Sequence, residues 1–302
     1  NTEGDFNTAV GNSALSENTT ADSNTAVGYL SLNANTTGTG NNAFGALAGD
    51  AITTGNYNVA IGDSSLGAQT TASGNTAVGS AAGNAITTGS CNVTIGLDSL
   101  KTNTTGPNNT AIGVFALKAN TTAAHNVAVG SCSLKANTTG ACNTAMGSFT
   151  LFDNTTGFRN VAIGHSSLAN NTTAGNSQAI GYNALVANTT GCQNTAMGTG
   201  AMQHNTTGNN NISFGISSLY CNTEGSNNVA IGCGSLINST TANNNTAVGY
   251  RSAQGNTTGT ENVSVGNQAN RCTTTGDYNV AIGSDARRDG TTGSNNVAVG
   301  FQ

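Results

Sequence analysis

Asn24-Thr25-Ala26-Val27-Gly28-Tyr29-Leu30-Ser31-Leu32-Asn33-Ala34-Asn35-Thr36-Thr37-Gly38-Thr39-Gly40 decides the fold, because the chain repeats it at one fixed interval in both directions. Gly28 has counterparts at Gly11, Gly45, Gly62 and onward to Gly300, always 17 residues apart and without an insertion or deletion. Such spacing implies units that stack directly on one another, since one extra residue would shift the whole ladder. Numbered from its first Asn, the unit reads N-[TV]-A-[VI]-G-x-x-[AS]-L-x-x-N-T-T-[GA]-x-x. Position 4 is apolar in every coil, position 9 is Leu in eleven of seventeen, and position 13 is Thr in all seventeen.

The residue types select β-structure. Nothing recurs at the helical period, and the Gly and β-branched content opposes a helix. The expected fold is all-β: a parallel β-solenoid, a two-layer β-roll of 17 residues per coil and about 17 full coils, continuous over residues 1–302. Positions 2 and 4 are mostly β-branched and lie on one side of a strand, so that side is expected to face the interior. The Gly at position 5 ends the strand. Positions 8 and 9 with the Thr pair at 13 and 14 are expected to form a second extended segment. Rungs ~4.8 Å apart would give a rod of roughly 85 Å. The chain starts and stops within a repeat, so it reads as a piece of a longer array, uncapped at both ends, that would stack end to end.

Charges test this frame. Positions 6, 7, 10, 11, 16 and 17 are the expected exposed corners, and seven of eight basic and eleven of thirteen acidic residues fall there. Arg287, at the Leu position, and Glu3 and Glu224, at the second Thr, are the exceptions. Two coils exchange residues in pairs: Gly49 and Gly83 replace the position-9 Leu where Ile52 and Ile86 replace the position-12 Asn. Positions 9 and 12 should therefore border one patch of core.

Asn at position 1, as at Asn24, Asn41, Asn58, Asn75 and Asn92, is expected to form a structural amide ladder between coils. The Asn-Thr-Thr run is also an N-glycosylation acceptor at Asn18, Asn35, Asn103, Asn120, Asn137, Asn154, Asn171, Asn188, Asn205 and Asn256. Further acceptors include Asn92, Asn108, Asn211, Asn238, Asn244 and Asn262; those at position 1, such as Asn92, should be buried and unmodified. A sugar-coated rod and plain turn chemistry both explain the run, and position 12 lying beside the core favours the second. Paired Thr such as Thr36 and Thr37 resemble ice-binding arrays, although the following Gly or Ala argues against a wide flat face.

Other chemistry is sparse. Charged residues make up 7% and the net charge is −5, which disfavours nucleic acid. No apolar run approaches a membrane span. Seven cysteines, an odd number, occupy corners without a Cys-x-x-Cys, so no zinc site is expected. Cys91 and Cys142, like Cys221 and Cys272, are 51 residues apart, three coils, too far to pair with each other and suggestive of triplet duplication. His125, His165 and His204 hold unrelated positions and make no catalytic set. Lys101, Lys118 and Lys135 form a like-charge row on successive coils.

The run Asn58-Val59-Ala60-Ile61-Gly62 and its relatives resemble the head repeats of trimeric autotransporter adhesins. The full unit, as in Asn24 through Gly40, is similar to the repeats of long fibre proteins, including tail-fibre-like proteins ending in a self-cleaving chaperone domain. The resemblance covers the whole chain and implies left-handed coiling, trimerisation through an Ala-lined face and a role as fibre or adhesin. Departures are a unit longer than the usual head repeat and no stalk, anchor or chaperone domain. The expectation is a structural, non-enzymatic subunit of an extracellular fibre or particle surface that associates with itself. It would need no cofactor, with N-linked glycans the one candidate addition. An adhesin or ice-binding module is the alternative.

Overall fold

In a computed structural model, residues 2–301 are described. They form a parallel β-solenoid with the expected 17-residue coil, divided into two compact units, Asn1–Thr156 and Gly157–Gln302. The first contains strands β1 (Thr8–Val10) to β9 (Thr144–Met146), one every 17 residues; the second contains β10 (Val161–Ile163) to β18 (Val297–Val299). Within each unit consecutive strands pair in parallel with unshifted register, for instance Thr8 with Thr25, Ala9 with Ala26 and Val10 with Val27, or Val280 with Val297.

The strand faces the opposite way from the sequence expectation. Position 3, not positions 2 and 4, points inward: Ala26, Ala43, Ala111 and Ala145 are fully buried, while their strand neighbours are half-buried or exposed. The physical reason is room. Position 3 lies directly against position 8, and only small pairs fit. Where Thr94 replaces the Ala, its hydroxyl bonds the Ser99 carbonyl at 2.9 Å and hydroxyl at 2.6 Å. Ser213 and Ser218 repeat that pairing in the second unit. The Ala-lined face is therefore the interior, which removes it as a trimerisation surface.

Each coil also has one strand, not two. The segment from position 6 to position 14 is built of turns because the residues at positions 7 and 9 adopt left-handed backbone, as Leu30 (φ 55°) and Leu32 (φ 48°) do. Non-Gly residues rarely do this and pay in local strain, yet it aims the position-9 side chain into the core. Leu32, Leu100, Leu117, Leu134, Leu168 and Leu219 are wholly buried, each worth about 1.5–3 kcal/mol by apolar transfer. The turn segment still bonds along the stack: the Leu32 N–H donates to the Ala48 carbonyl (3.1 Å) and the Ala34 N–H to the Asp50 carbonyl (3.0 Å).

Gly at position 5 is required twice over. At Gly28 the φ is +142°, and a Cβ there would stand 2.3 Å from the Gly45 carbonyl oxygen of the next coil. The paired exchange at positions 9 and 12 also has its predicted cause. A Cβ on Gly49 would meet Ile52 Cδ1 at 2.9 Å and Leu32 Cδ2 at 3.2 Å. Ile52 thus fills the space that Leu fills elsewhere.

Candidate functional surface

Two columns of asparagine run through the interior. In the first, at position 1, the side chain bonds backbone more than side chain. Asn24 Oδ1 accepts the Asn41 N–H at 2.8 Å, Asn41 Oδ1 the Asn58 N–H at 3.0 Å, Asn58 Oδ1 the Asn75 N–H at 2.9 Å and Asn75 Oδ1 the Asn92 N–H at 2.8 Å. Most of the Nδ2 groups reach the position-15 carbonyl of their own coil, as Asn24 does to Gly38 at 2.9 Å.

The second column was hidden in the sequence by its likeness to a glycosylation signal. Asn120 Nδ2 donates to Asn103 Oδ1 at 2.8 Å, Asn137 to Asn120 at 3.1 Å and Asn154 to Asn137 at 2.8 Å. The second unit repeats this from Asn188 to Asn171 (3.0 Å), Asn205 to Asn188 (2.8 Å) and Asn222 to Asn205 (2.7 Å). Asn18, Asn35, Asn103, Asn120, Asn137, Asn154, Asn171, Asn188, Asn205 and Asn256 are at most 2% exposed. The glycan reading of these ten does not fit the fold, because the nitrogen that would carry sugar is enclosed and already donating. The position-1 acceptor Asn92 is buried as expected, whereas Asn108, Asn170, Asn238 and Asn244 are exposed. Where Ile52 follows Asn35 the column breaks, and Asn35 Oδ1 is left without a partner.

Outside, the strand presents positions 2 and 4 to solvent. Position 4 of the first unit shows Phe44, Ile61, Ile95 and Met146, each between 38% and 43% exposed; the second shows Ile163, Met197, Ile231 and Ile282, between 37% and 41%. Nine strands at ~4.8 Å make each unit's stripe roughly 40 Å long, about 400 Å² at a width of ~10 Å, which is at the scale of the largest apolar patch on an ordinary monomer. The sequence signal for this was the uniform smallness of position 3, which marks the tighter side of the strand.

The Thr columns divide their labour. The position-13 hydroxyl is spent internally, Thr36 Oγ1 donating to the Thr53 carbonyl at 3.2 Å and Thr121 to Thr138 at 3.2 Å. The position-14 Thr, such as Thr37 and Thr122, is exposed. One open column of hydroxyls per unit remains, not a two-column plane.

At the corners the charges behave as expected, and none is buried among the described residues. Lys101 and Lys118 share Asp98 at 2.9 and 3.0 Å. Burial raises the Asp98 carboxyl pKa, but the hydrogen bonds and charges of the two lysines outweigh it and hold the group below its ordinary value. Lys118 and Lys135 lie over the Phe115 ring at 4.5 and 5.8 Å, and Lys135 over Phe152 at 5.1 Å; Phe149 packs on Phe152 at 5.7 Å. The exceptional Arg287 enters the interior where the Leu column has become Asn270. Its guanidinium donates to Asn270 Oδ1 (2.7 Å), Thr273 Oγ1 (2.6 Å) and the Gly293 carbonyl (2.6 Å), and burial lowers its pKa.

The seven cysteines are free thiols, Cys91, Cys142 and Cys233 exposed. Burial pushes the Cys221 thiol up, away from thiolate chemistry. His165 stacks on Tyr182 at 5.7 Å and His204 meets Tyr220 edge-on at 4.8 Å. Among the described residues no three His, Cys, Asp or Glu side chains gather to hold a metal, and no helix is long and apolar enough to cross a membrane.

These features define a class of architecture, a 17-residue parallel β-solenoid whose polar interior is consumed by stacking. Comparison with known proteins goes no further: no family model, curated protein or solved structure matches the chain.

Proposed function

We propose that the chain is a structural segment of an extracellular fibre that associates side by side with copies of itself through the position-2 and position-4 stripe. The observation that carries this is the apolar residue at position 4 of every coil, held outward on an in-register ladder within each unit. A stripe of that kind is apolar surface awaiting cover, and an identical stripe on another copy matches it in pitch. The likeness of the repeat to adhesin-head and fibre-protein repeats points the same way and supports an extracellular setting. Left-handed coiling and three-fold association belong to that likeness. The test is Ile61→Glu with Ile95→Glu and Met146→Glu, followed by sedimentation velocity and electron microscopy. Wild type should form lateral assemblies and the triple variant should remain dispersed with its far-UV circular dichroism unchanged. A dispersed wild type, or association that survives the three charges, overturns the proposal.

A second reading, an ice-binding surface, is favoured by the exposed Thr column at position 14. It is weakened by the position-13 hydroxyls already being donated to carbonyls, and thermal hysteresis decides it.

A further inference from the structure

The three lysines of the chain occupy position 10 of three successive coils, and all five arginines lie in the other unit. In-register stacking sets the lysine Cα atoms ~4.8 Å apart. Left to themselves, three ammonium groups at that pitch would splay into water. Here they are arranged. Asp98, only 14% exposed, lies beneath Lys101 and Lys118, which keep 39% and 34% of their side chains open. Lys135 has no carboxylate among its contacts and rests between the Phe115 and Phe152 rings. With Asp153 next to Phe152 on the following coil, three cations against two anions still leave a local positive excess on a chain of net charge −5.

We infer that this ledge binds an acidic polysaccharide, a linear chain bearing carboxylate or sulfate groups, laid along the stacking direction. Three properties select that partner. The lysine Cα atoms repeat along the stack at an interval close to the rise of one pyranose in an extended glycan, so a linear polyanion can run along the row without bending either chain. The lysines are already seated on Phe115, Phe152 and Asp98, which lowers the ordering cost of binding. The Phe115 ring is covered by its own lysines, so it offers no open stacking platform for a nucleobase. Three cations are also too few for strong phosphate-backbone binding.

The experiment measures binding of the whole chain to polygalacturonate, to neutral dextran and to single-stranded oligodeoxynucleotide, at low and at physiological ionic strength. The expected result is polygalacturonate binding at low salt, none to dextran, and a loss of roughly tenfold or more in Lys101→Gln with Lys118→Gln and Lys135→Gln. Arg251→Gln with Arg271→Gln, which removes two cations elsewhere, should leave affinity within about twofold. Circular dichroism checks that both variants keep the fold. Absence of polygalacturonate binding, an equal loss in the arginine variant, or tighter binding of the oligodeoxynucleotide overturns the inference, the last in favour of a nucleic-acid surface.

Discussion

Replacing Asn109 by Ala removes one rung of the position-1 column, and the structure says what is orphaned. Asn109 Oδ1 accepts the Asn126 N–H at 3.0 Å; its Nδ2 donates to Asn92 Oδ1 (3.2 Å), the Ala123 carbonyl (2.9 Å) and the Pro107 carbonyl (3.2 Å). Three of these partners have substitutes. Asn92 Oδ1 still accepts the Asn109 backbone N–H at 2.9 Å, the Ala123 carbonyl still accepts Asn120 Nδ2 at 3.0 Å, and the Pro107 carbonyl still accepts the His125 N–H at 3.3 Å. The Asn126 N–H has none. One buried orphan donor costs about 1–3 kcal/mol, and the three other lost bonds about 1 kcal/mol each, so the change should cost roughly 4–6 kcal/mol. A repeat array does not unfold in one step, which makes a global midpoint the wrong observable. Hydrogen exchange followed by mass spectrometry reads the coils separately. Protection should fall about a thousandfold or more in the coils flanking Asn109 and little three coils away. The control is Thr105→Ala, on an exposed residue at position 14. A loss near Asn109 below about tenfold, or no larger than the control's, would refute the view that the column is structural.

Gly49→Leu should destabilise the coil by about 1–3 kcal/mol through overpacking against Ile52, and Gly49→Leu with Ile52→Asn should recover most of it; additive losses in a double-mutant cycle would count against a shared core slot. Asp98 has a folded pKa below its unfolded one, so its pairing with Lys101 and Lys118 stabilises above the ordinary carboxylate pKa and is lost as pH falls through the depressed value. The amount is under about 1 kcal/mol for such a surface pair, and Asp98→Asn should abolish the acid-limb dependence of exchange in coils containing Lys101 and Lys118. Expressed in a glycosylating host, folded protein should carry sugar only at the exposed acceptors Asn108, Asn170, Asn238 and Asn244; peptide mapping that finds glycan on soluble, folded chains at Asn120 or Asn137 would contradict the burial described above.

The period, the parallel stacking, the corner charges and the coupling of positions 9 and 12 were all legible from residue types. Each leaves a mark in single positions: an obligatory Gly at Gly28, a compensating pair at Gly49 and Ile52. The direction in which the strand faces was not. Branched residues ordinarily mark an interior, but the inward strand position admits only small side chains such as Ala26, so Val27 and Ile61 were turned out. Nor could propensity reveal left-handed Leu32, which is held there by the packing of its own side chain. The second ladder was illegible for a different reason: Asn-Thr-Thr reads identically whether its amide faces water or another amide. The lysine row was visible as a row, but the contacts that cross coils, Asp98 to Lys118 and Phe115 and Phe152 to Lys135, needed the stack to bring them together.

The position-12 column has a sense as well as a period. Where Asn follows Asn in it, the bond between them runs toward lower residue numbers, Asn120 to Asn103 and Asn205 to Asn188 alike, so the dipoles align within each run and reinforce one another. Each coil with Asn at position 12 therefore offers its neighbours the same pair of connectors, an acceptor upward and a donor downward, whatever occupies its corners. Such coils become interchangeable parts: within a run of them one can be deleted, copied or moved by recombination in whole 17-residue steps, and the seam closes with the same amide bond. Surface variation is free to drift while the joint stays constant, which is how three lysines can be confined to three coils of an otherwise uniform array.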